Sequence, residues 1–163
     1  MCPTYPVQEG KGINHTGWKG RKMSNDSVAE ASKAVVRQYF EVLDRDRAHP
    51  VSMCTDDFTF SVYGFPTIDL AESVAFAKTF FDSIPDLMHP LDELIAERNT
   101  VAFQYHYVGT HTRELLGAAP TGNEIFYHGM GFMRVRDGKV SEFIVSPDRV
   151  TLMQQIGLLP ANG

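Results

Sequence analysis

The residue best placed for acid–base chemistry is Asp148, which follows the last strand pattern of the chain and precedes a short amphipathic segment. A carboxylate at the open end of a sheet is where an enzyme without a cofactor can keep a general acid/base. Asp is also a favoured N-cap residue, so the position equally predicts a helix cap. As a base, Asp148 needs a pKa above the ordinary value of about 3.9, which partial desolvation among aromatic side chains would supply.

Two histidines and several aromatic residues precede Asp148. His106 and His128 each fall within a long strand pattern, where an imidazole can orient a carbonyl, shuttle a proton or make a structural hydrogen bond. Tyr39 falls on a helical apolar stripe, and we expect its hydroxyl to reach a cavity and orient a substrate. Other aromatic residues line that cavity if they face inward and otherwise fill the core: Tyr63, Tyr105, Phe126 and Phe132.

Metal and cofactor chemistry have no counterpart in the sequence. The two cysteines, Cys2 and Cys54, have no metal-ligand spacing and are too few for a disulfide framework. No combination of Cys, His and Asp has the spacing of a zinc site, and there is no glycine-rich phosphate loop. The sequence therefore predicts no metal and no cofactor.

The composition excludes several classes of partner. The 163 residues, 43% hydrophobic and 21% charged, can form one domain with a core of its own. The net charge is −5, and the acidic excess lies after residue 22, because Glu9 is the one acidic residue before it. A domain with this acidic excess argues against nucleic acid as a partner, because binding to nucleic acid needs a basic face. No apolar run reaches membrane-spanning length and no signal peptide is evident, so we expect no membrane partner and a cytoplasmic location.

The N-terminal part of the chain changes character near Met23. Residues 1–22 are rich in Gly and Pro without helical or strand periodicity, which predicts a flexible tail before a single domain over 23–163. A helix is predicted over about 26–45, with a capping box that starts at Ser27. A second long helix is predicted to begin at Asp69 and to end before Pro85.

The remainder is predicted to be β-structure. Strands are expected over 58–63, 91–96, 100–112, 124–136 and 139–145, and Asp137-Gly138 is a strong hairpin signal between the last two. Helices followed by a meander of long strands form an α+β pattern. Both parities of the two longest strands are apolar or aromatic. We therefore expect one sheet face to pack on helices around a pocket and the other to form a homodimer.

These elements and motifs together resemble the SnoaL-like polyketide cyclases, a branch of the nuclear transport factor two-like superfamily. The matches run in order from Val36 to Gly157: Asp57, Pro85-Asp86-Leu87, Gly109-Thr110-His111, Pro120-Thr121-Gly122, Arg134, Asp137-Gly138-Lys139, Glu142 and Gln155-Ile156-Gly157. The resemblance implies a cone-shaped α+β fold, in which a curved mixed sheet wraps around the N-terminal helices and encloses a cavity.

The resemblance also implies a chemistry. Characterised cyclases of this group close a polyketide ring by intramolecular aldol condensation without metal or cofactor, and Asp148 matches their catalytic aspartate. We therefore expect a cyclase- or isomerase-type enzyme for a hydrophobic, polyketide-like carbonyl compound. Ile144 replaces a tryptophan that is frequent in the family, and Gly131 replaces a frequent acidic residue, so the pocket should differ in shape and polarity.

Related activities fit less well. A ketosteroid isomerase would share Tyr39, but its base would fall near Val62 and its protonated acid near Gly131. A limonene-epoxide hydrolase needs an arginine between two carboxylates, for which we find no counterpart. The remaining alternative is a non-catalytic small-molecule-binding or dimerisation module on the same fold. The residues predicted to form the substrate pocket are Tyr39, Tyr63, Tyr105, His106, His128, Phe132 and Ile144.

Overall fold

The computed structural model describes residues 24–160, so the predicted tail at 1–22 lies outside the described residues. The helices are α1 (Asn25–Asp46), α2 (Leu70–Ser83) and α3 (Arg149–Gln155), and a 3-10 turn lies at Val51–Met53. The strands are β1 (Cys54–Val62), β2 (Ile68–Asp69), β3 (Leu91–Glu97), β4 (Thr100–Thr110), β5 (Glu124–Arg136) and β6 (Lys139–Pro147). Over this part of the chain, no helix has both the length and the apolar character needed to cross a membrane.

Helix α1 begins earlier than the sequence pattern predicts. The Ser24 hydroxyl accepts a hydrogen bond from the Ser27 backbone N–H at 3.2 Å, and the Ser27 hydroxyl donates to the Ser24 carbonyl at 2.8 Å. Ser24 is therefore the N-cap, and the predicted cap at Ser27 is wrong by three residues, because Ser27 already lies in the first turn. The buried stripe of the helix is Val36, Tyr39, Phe40 and Leu43.

Helix α2 begins and ends as predicted. The Asp69 carboxylate accepts from the Glu72 backbone N–H at 2.9 Å, and the Glu72 carboxylate accepts from the Asp69 N–H at 3.1 Å. This reciprocal pair forms a capping box. The helix stops at Ile84, because Pro85 lacks the N–H that another turn would need.

The strands form one mixed, curved sheet, which confirms the α+β prediction. Their order is β2-β1-β6-β5-β4-β3, and every neighbouring pair is antiparallel except β1 and β6. The hairpin between β5 and β6 turns at Asp137 and Gly138, whose φ angles are 52° and 76°. Two positive φ angles are typical of a type I′ turn, whose twist suits the flanking strands.

The two faces of the sheet have different environments. The inner face carries Val101, Phe103 and Tyr105 of β4 with Ile125 and Tyr127 of β5, all of them buried. Helix α1 packs against this face across β3 to β6, α2 packs against β1 and β2, and α3 packs against β5. The opposite, outer face carries the alternate residues of the same strands. Successive side chains of a strand point to opposite sides, so each strand contributes to both faces.

Gly131 marks a close approach between β5 and β6. A Cβ atom at this position would collide with the carbonyl oxygen of Ile144 and would lie 3.1 Å from the Cα atom of Val145. Both obstacles belong to the backbone of the paired strand, so a side chain cannot be accommodated by a rotamer change. This contact explains why position 131 of this chain is a glycine and not the acidic residue that is frequent in the family.

We expect Gly131→Ala to lower the free energy of unfolding by about 1–3 kcal/mol, because the added methyl group forces β5 and β6 apart. Chemical denaturation of Gly131→Ala, measured side by side with the control variant Ser146→Ala, tests this expectation. Ser146 is exposed on β6, and its truncation should change stability by less than about 0.5 kcal/mol. Equal stabilities of the two variants would contradict the steric explanation.

Candidate functional site

A cavity of about 560 Å³ lies between the helices and the inner face of the sheet. Its volume falls in the range of about 300–1,000 Å³ that is typical of small-molecule sites. Most of its wall is aromatic or aliphatic, and the apolar lining includes Phe40, Phe60, Phe76, Phe80, Phe81, Phe143, Leu152 and Met153. A largely apolar ligand therefore fits this wall better than a charged one.

Regular structure explains how these side chains converge. Helical periodicity brings Ser73, Ala77 and Phe80 of α2 to the cavity side of that helix. Strand alternation brings Tyr105 and Tyr107 of β4 inward together. On neighbouring β5, Gly129 leaves room for the Tyr105 ring, whose Cε1 and Cζ atoms would each lie 2.8 Å from an added Cβ.

One polar cluster in the cavity wall joins Tyr39, His49 and Ser73. The Tyr39 hydroxyl lies 3.0 Å and the Ser73 hydroxyl 3.2 Å from His49 Nε2. Ser73 also donates its only hydroxyl proton to the Leu70 carbonyl at 2.8 Å, so it can only accept from His49. We infer that Nε2 carries the imidazole proton, which leaves the Tyr39 hydroxyl proton available to a ligand.

Burial keeps this cluster uncharged. Desolvation raises the pKa of Tyr39 well above its ordinary value. Desolvation likewise lowers the pKa of His49 to about 4, so the imidazole is neutral at pH 7. His49 Nδ1 is buried and has no hydrogen-bond partner among the described residues. In the sequence, His49 precedes Pro50 and is most simply interpreted as a helix-start residue, and no local pattern indicates that it lines a cavity.

A second polar group lies on the other side of the cavity wall. The Tyr105 and Tyr107 hydroxyls are hydrogen-bonded to each other, and the Tyr107 ring stacks on Tyr127 with centroids 4.2 Å apart. Burial raises the pKa of Tyr107 to about 12, which keeps it protonated. The His89 ring lies beside Tyr107, with centroids 5.0 Å apart, and its Nδ1 lies 2.6 Å from an Asp44 carboxylate oxygen.

The structure brings two of the predicted pocket residues to the cavity. Tyr39 and Tyr105 both line it. Tyr63 does not, because it follows the end of β1 and is 61% exposed. The prediction for Tyr63 is therefore wrong.

The other four predicted pocket residues lie on the outer face. His106 and His128 directly follow the inward-facing Tyr105 and Tyr127, so strand alternation turns them outward. Phe132 and Ile144 pair with each other across β5 and β6, also facing outward. These four pocket predictions are wrong because the sequence offers two apolar faces and does not indicate which one the helices cover.

The outer-face histidines form their own contacts. His106 Nδ1 lies 3.0 Å from an Asp92 carboxylate oxygen, and the His106 ring lies 5.0 Å from Phe126 between ring centroids. His128 packs edge-on against Phe126 at 5.2 Å. These contacts assign both histidines to the surface of the sheet opposite the cavity.

Asp148 is the N-cap of α3. One carboxylate oxygen accepts from the Thr151 backbone N–H at 3.1 Å, and the other accepts from the Thr151 hydroxyl at 2.7 Å. These two hydrogen bonds stabilise the charged form and hold the pKa of Asp148 below its ordinary value, with little desolvation to oppose them. The predicted increase in pKa is therefore wrong. Asp148 is exposed and is not among the residues that line the cavity, although Pro147 and Arg149 on either side of it are.

Cys54 and the acidic and histidine side chains form no metal site within residues 24–160, where no three such ligands come together. The Cys54 thiol is buried and lies 3.6 Å from the Pro50 carbonyl oxygen. Burial raises its pKa to about 12. The titratable groups of the cavity wall are instead histidine and tyrosine side chains with Glu72 and Arg149.

The sequence model of the SnoaL-like polyketide cyclases matches residues 33–156. The chain belongs to this family. A search of curated proteins gives no match. Among solved structures, AclR from Streptomyces galilaeus, described as a candidate hydroxylase, is 24% identical with a TM-score of 0.76, covering 83% of this chain and 86% of AclR.

Two further solved structures share the fold. A candidate SnoaL-like polyketide cyclase from Jannaschia sp. CCS1 is 20% identical with a TM-score of 0.74, covering 86% of this chain and 100% of that chain. IdmH from Streptomyces antibioticus, a candidate polyketide cyclase, is 19% identical with a TM-score of 0.68, covering 77% of this chain and 98% of IdmH. At these identities the likeness shows the nuclear transport factor two-like fold and leaves the reaction open.

We expect acid to destabilise the protein through His49. The unfolded chain protonates this histidine below about pH 6.5, whereas the folded protein keeps it neutral down to a pKa of about 4. Proton uptake therefore favours the unfolded state between these values, and the histidine's share of the loss in unfolding free energy should be on the order of 2–3 kcal/mol. Denaturation curves recorded across this pH range give the unfolding free energy at each pH. This free energy should fall less steeply with acid for His49→Gln than for the outer-face control His106→Gln. An identical pH dependence in both variants would contradict this assignment.

Proposed function

We propose that this protein is a cofactor-independent acid–base enzyme that binds a hydrophobic, polyketide-like carbonyl compound in the cavity. The reaction would be an intramolecular aldol condensation or a related proton transfer. The observation that supports this proposal is the composition of the wall, in which neutral hydroxyl and imidazole groups interrupt an otherwise apolar surface. Membership of the SnoaL-like family supports the same class of reaction.

Tyr39 is suited to hold the carbonyl oxygen of such a ligand. Its hydroxyl proton is left available by the hydrogen bonds of His49 and Ser73, and its raised pKa keeps it a donor. A hydrogen bond in an apolar cavity stabilises negative charge on the oxygen of an enolate more than the same bond would in water. That stabilisation lowers the barrier to removing a proton from the adjacent carbon.

Asp148 is the candidate acid/base that the family resemblance supplies. Its neighbours in the chain, Pro147 and Arg149, line the cavity, which supports contact with a ligand that extends past these two residues. Its lowered pKa and exposure make it a weak base. The same observations favour the second candidate function, in which the fold binds an apolar small molecule without transforming it.

We expect the protein to accelerate exchange of the α-protons of 2-tetralone, a bicyclic ketone, for deuterium in D2O. General-base catalysis typically contributes about 10²–10⁴-fold in rate. The exchange is followed by ¹H NMR, and saturation transfer from the protein reports binding. Ala77→Phe, which fills the cavity, should abolish both signals, whereas Ala75→Phe on the exposed side of the same helix should abolish neither. Binding without faster exchange would favour the binding module.

Asp148 is tested in the same assay with two variants. Asp148→Asn can still cap α3 but cannot take up the α-proton, so a catalytic Asp148 predicts a rate loss of about 10²-fold or more at unchanged stability. Asp148→Ala should also lose the cap and about 1 kcal/mol of unfolding free energy. Full exchange activity in Asp148→Asn would restrict this residue to its capping role.

We further propose that the outer face of the sheet pairs two copies of the chain into a homodimer. Met130 is 61% exposed, Ile95 64% and Phe126 47%, and all three lie on β3 or β5. Soluble monomers rarely expose an apolar patch of this kind. A symmetric dimer would bury the same patch from each copy.

The dimer should be detectable by light scattering at micromolar concentration as a mass twice that of the 18.2 kDa chain. Met130→Glu should give a folded monomer, because a charge at the centre of an apolar interface cannot be desolvated without a partner. Val51→Glu, at an exposed apolar residue outside the sheet face, is the control and should remain dimeric. A monomeric wild-type protein would overturn this proposal.

A further inference from the structure

Asp44 and His89 form a nearly buried pair at the edge of the cavity. The Asp44 carboxylate accepts from the His89 backbone N–H at 2.8 Å with one oxygen and lies 2.6 Å from His89 Nδ1 with the other. The side chains are 11% and 9% exposed, respectively. The two hydrogen bonds with His89 fix the orientation of the Asp44 carboxylate, and the carboxylate in turn fixes the orientation of the imidazole ring.

This geometry determines which ring nitrogen is available. An ionised carboxylate only accepts hydrogen bonds, so His89 Nδ1 must carry a proton. In the neutral imidazole Nε2 then has a lone pair, and it makes no hydrogen bond within residues 24–160. A histidine held in this way by a carboxylate is suited to take up a proton at Nε2 and to be stabilised as the imidazolium.

The His89 ring separates two environments. Its Asp44 side borders a surface groove that includes Arg37, Glu41 and Arg45 of α1. Arg47, at the end of α1, donates to the Leu87 carbonyl two residues before His89. On its other side, the ring packs among cavity residues, with centroid distances of 6.0 Å to Phe81, 6.2 Å to Tyr105 and 5.0 Å to Tyr107.

The Tyr105 and Tyr107 hydroxyls provide a donor beside this ring. Two hydroxyls that hydrogen-bond to each other use one of their two protons, so the second proton is available to another acceptor. Both residues line the cavity. A base and a free hydroxyl donor therefore occupy neighbouring parts of the wall.

We propose that His89 is the general base inside the cavity, with Asp44 as its positioning residue and the Tyr105–Tyr107 hydroxyl pair as a donor, in addition to Tyr39, to the carbonyl oxygens of the ligand. This inference rests on the proposed function of the cavity. Nε2 takes the α-proton of a ketone, the C–H electron pair forms the enolate double bond, and the carbonyl π electrons move to the oxygen. The imidazolium then returns the proton to carbon, or to the alkoxide that forms when the enolate attacks a second carbonyl.

The protonation state of His89 is tested by long-range ¹H–¹⁵N NMR on the full chain in mildly alkaline buffer. We expect a proton on Nδ1 and none on Nε2. Adding 2-naphthol, which mimics the enol of 2-tetralone, should shift the Nε2 resonance, because its hydroxyl on the Tyr105–Tyr107 pair holds its C1 edge against that nitrogen. Naphthalene has the same ring system without the hydroxyl and should bind without that shift.

Three variants test the same pair in the 2-tetralone exchange assay. His89→Gln should lower the exchange rate by about 10²-fold or more, and Asp44→Asn should lower it while disturbing the Nδ1-protonated tautomer. His106→Gln is the matched control, because His106 pairs with Asp92 on the outer face in a similar way. It should leave the exchange rate unchanged. Thermal denaturation of each variant verifies that it is folded.

The outcomes separate this inference from the proposed function. Faster exchange by the wild type with full activity in His89→Gln overturns the role of His89 and leaves the acid–base function standing. A proton on Nε2, or equal Nε2 shifts with 2-naphthol and naphthalene, also overturns it. If 2-tetralone, 2-naphthol and naphthalene all fail to bind, both proposals are overturned.

Discussion

The contact between Phe40 of α1 and the inner face of the sheet holds the cavity open. Its ring meets Phe103 at 5.3 Å, Tyr105 at 5.4 Å and Phe143 at 6.1 Å between ring centroids. Because these rings pack edge-on or tilted, they separate the helix from the strands by the width of an aromatic ring. Because α2 reaches the sheet only near β1 and β2, the space beside this aromatic cluster stays unfilled and becomes the cavity.

The same aromatic wall determines the charge states inside the cavity. Desolvation disfavours the charged form of every group, so Tyr39 and Tyr107 remain protonated and His49 remains neutral. Asp148, which does not line the cavity, is solvated and hydrogen-bonded and therefore stays ionised. Among the described residues, Glu72 is the one carboxylate that lines the wall, and it accepts from the Asp69 N–H in the capping box of α2. The other candidate proton acceptors of the wall are therefore the imidazoles.

Much of the fold could be predicted because the signals are local. The Asp69 capping box depends on residues three apart, and the Asp137-Gly138 hairpin on two adjacent residues. The inner face could not be identified, because both parities of β4 and β5 are apolar and only the packing of α1 distinguishes them. The Asp44–His89 pair joins residues 45 apart in the sequence, so no motif indicates it.

Two histidine–aspartate pairs in this chain show why residue type alone does not identify a site. His89 with Asp44 and His106 with Asp92 have similar donor–acceptor geometry, at 2.6 Å and 3.0 Å. The first is nearly buried among aromatic rings that line a cavity, whereas the second lies on the more exposed outer face. An imidazole can act on a carbon acid only where the ligand is held without competing water, because water would solvate the base and the developing enolate alike. The side of the sheet on which a strand places its histidine therefore decides whether the pair can be chemical or only structural.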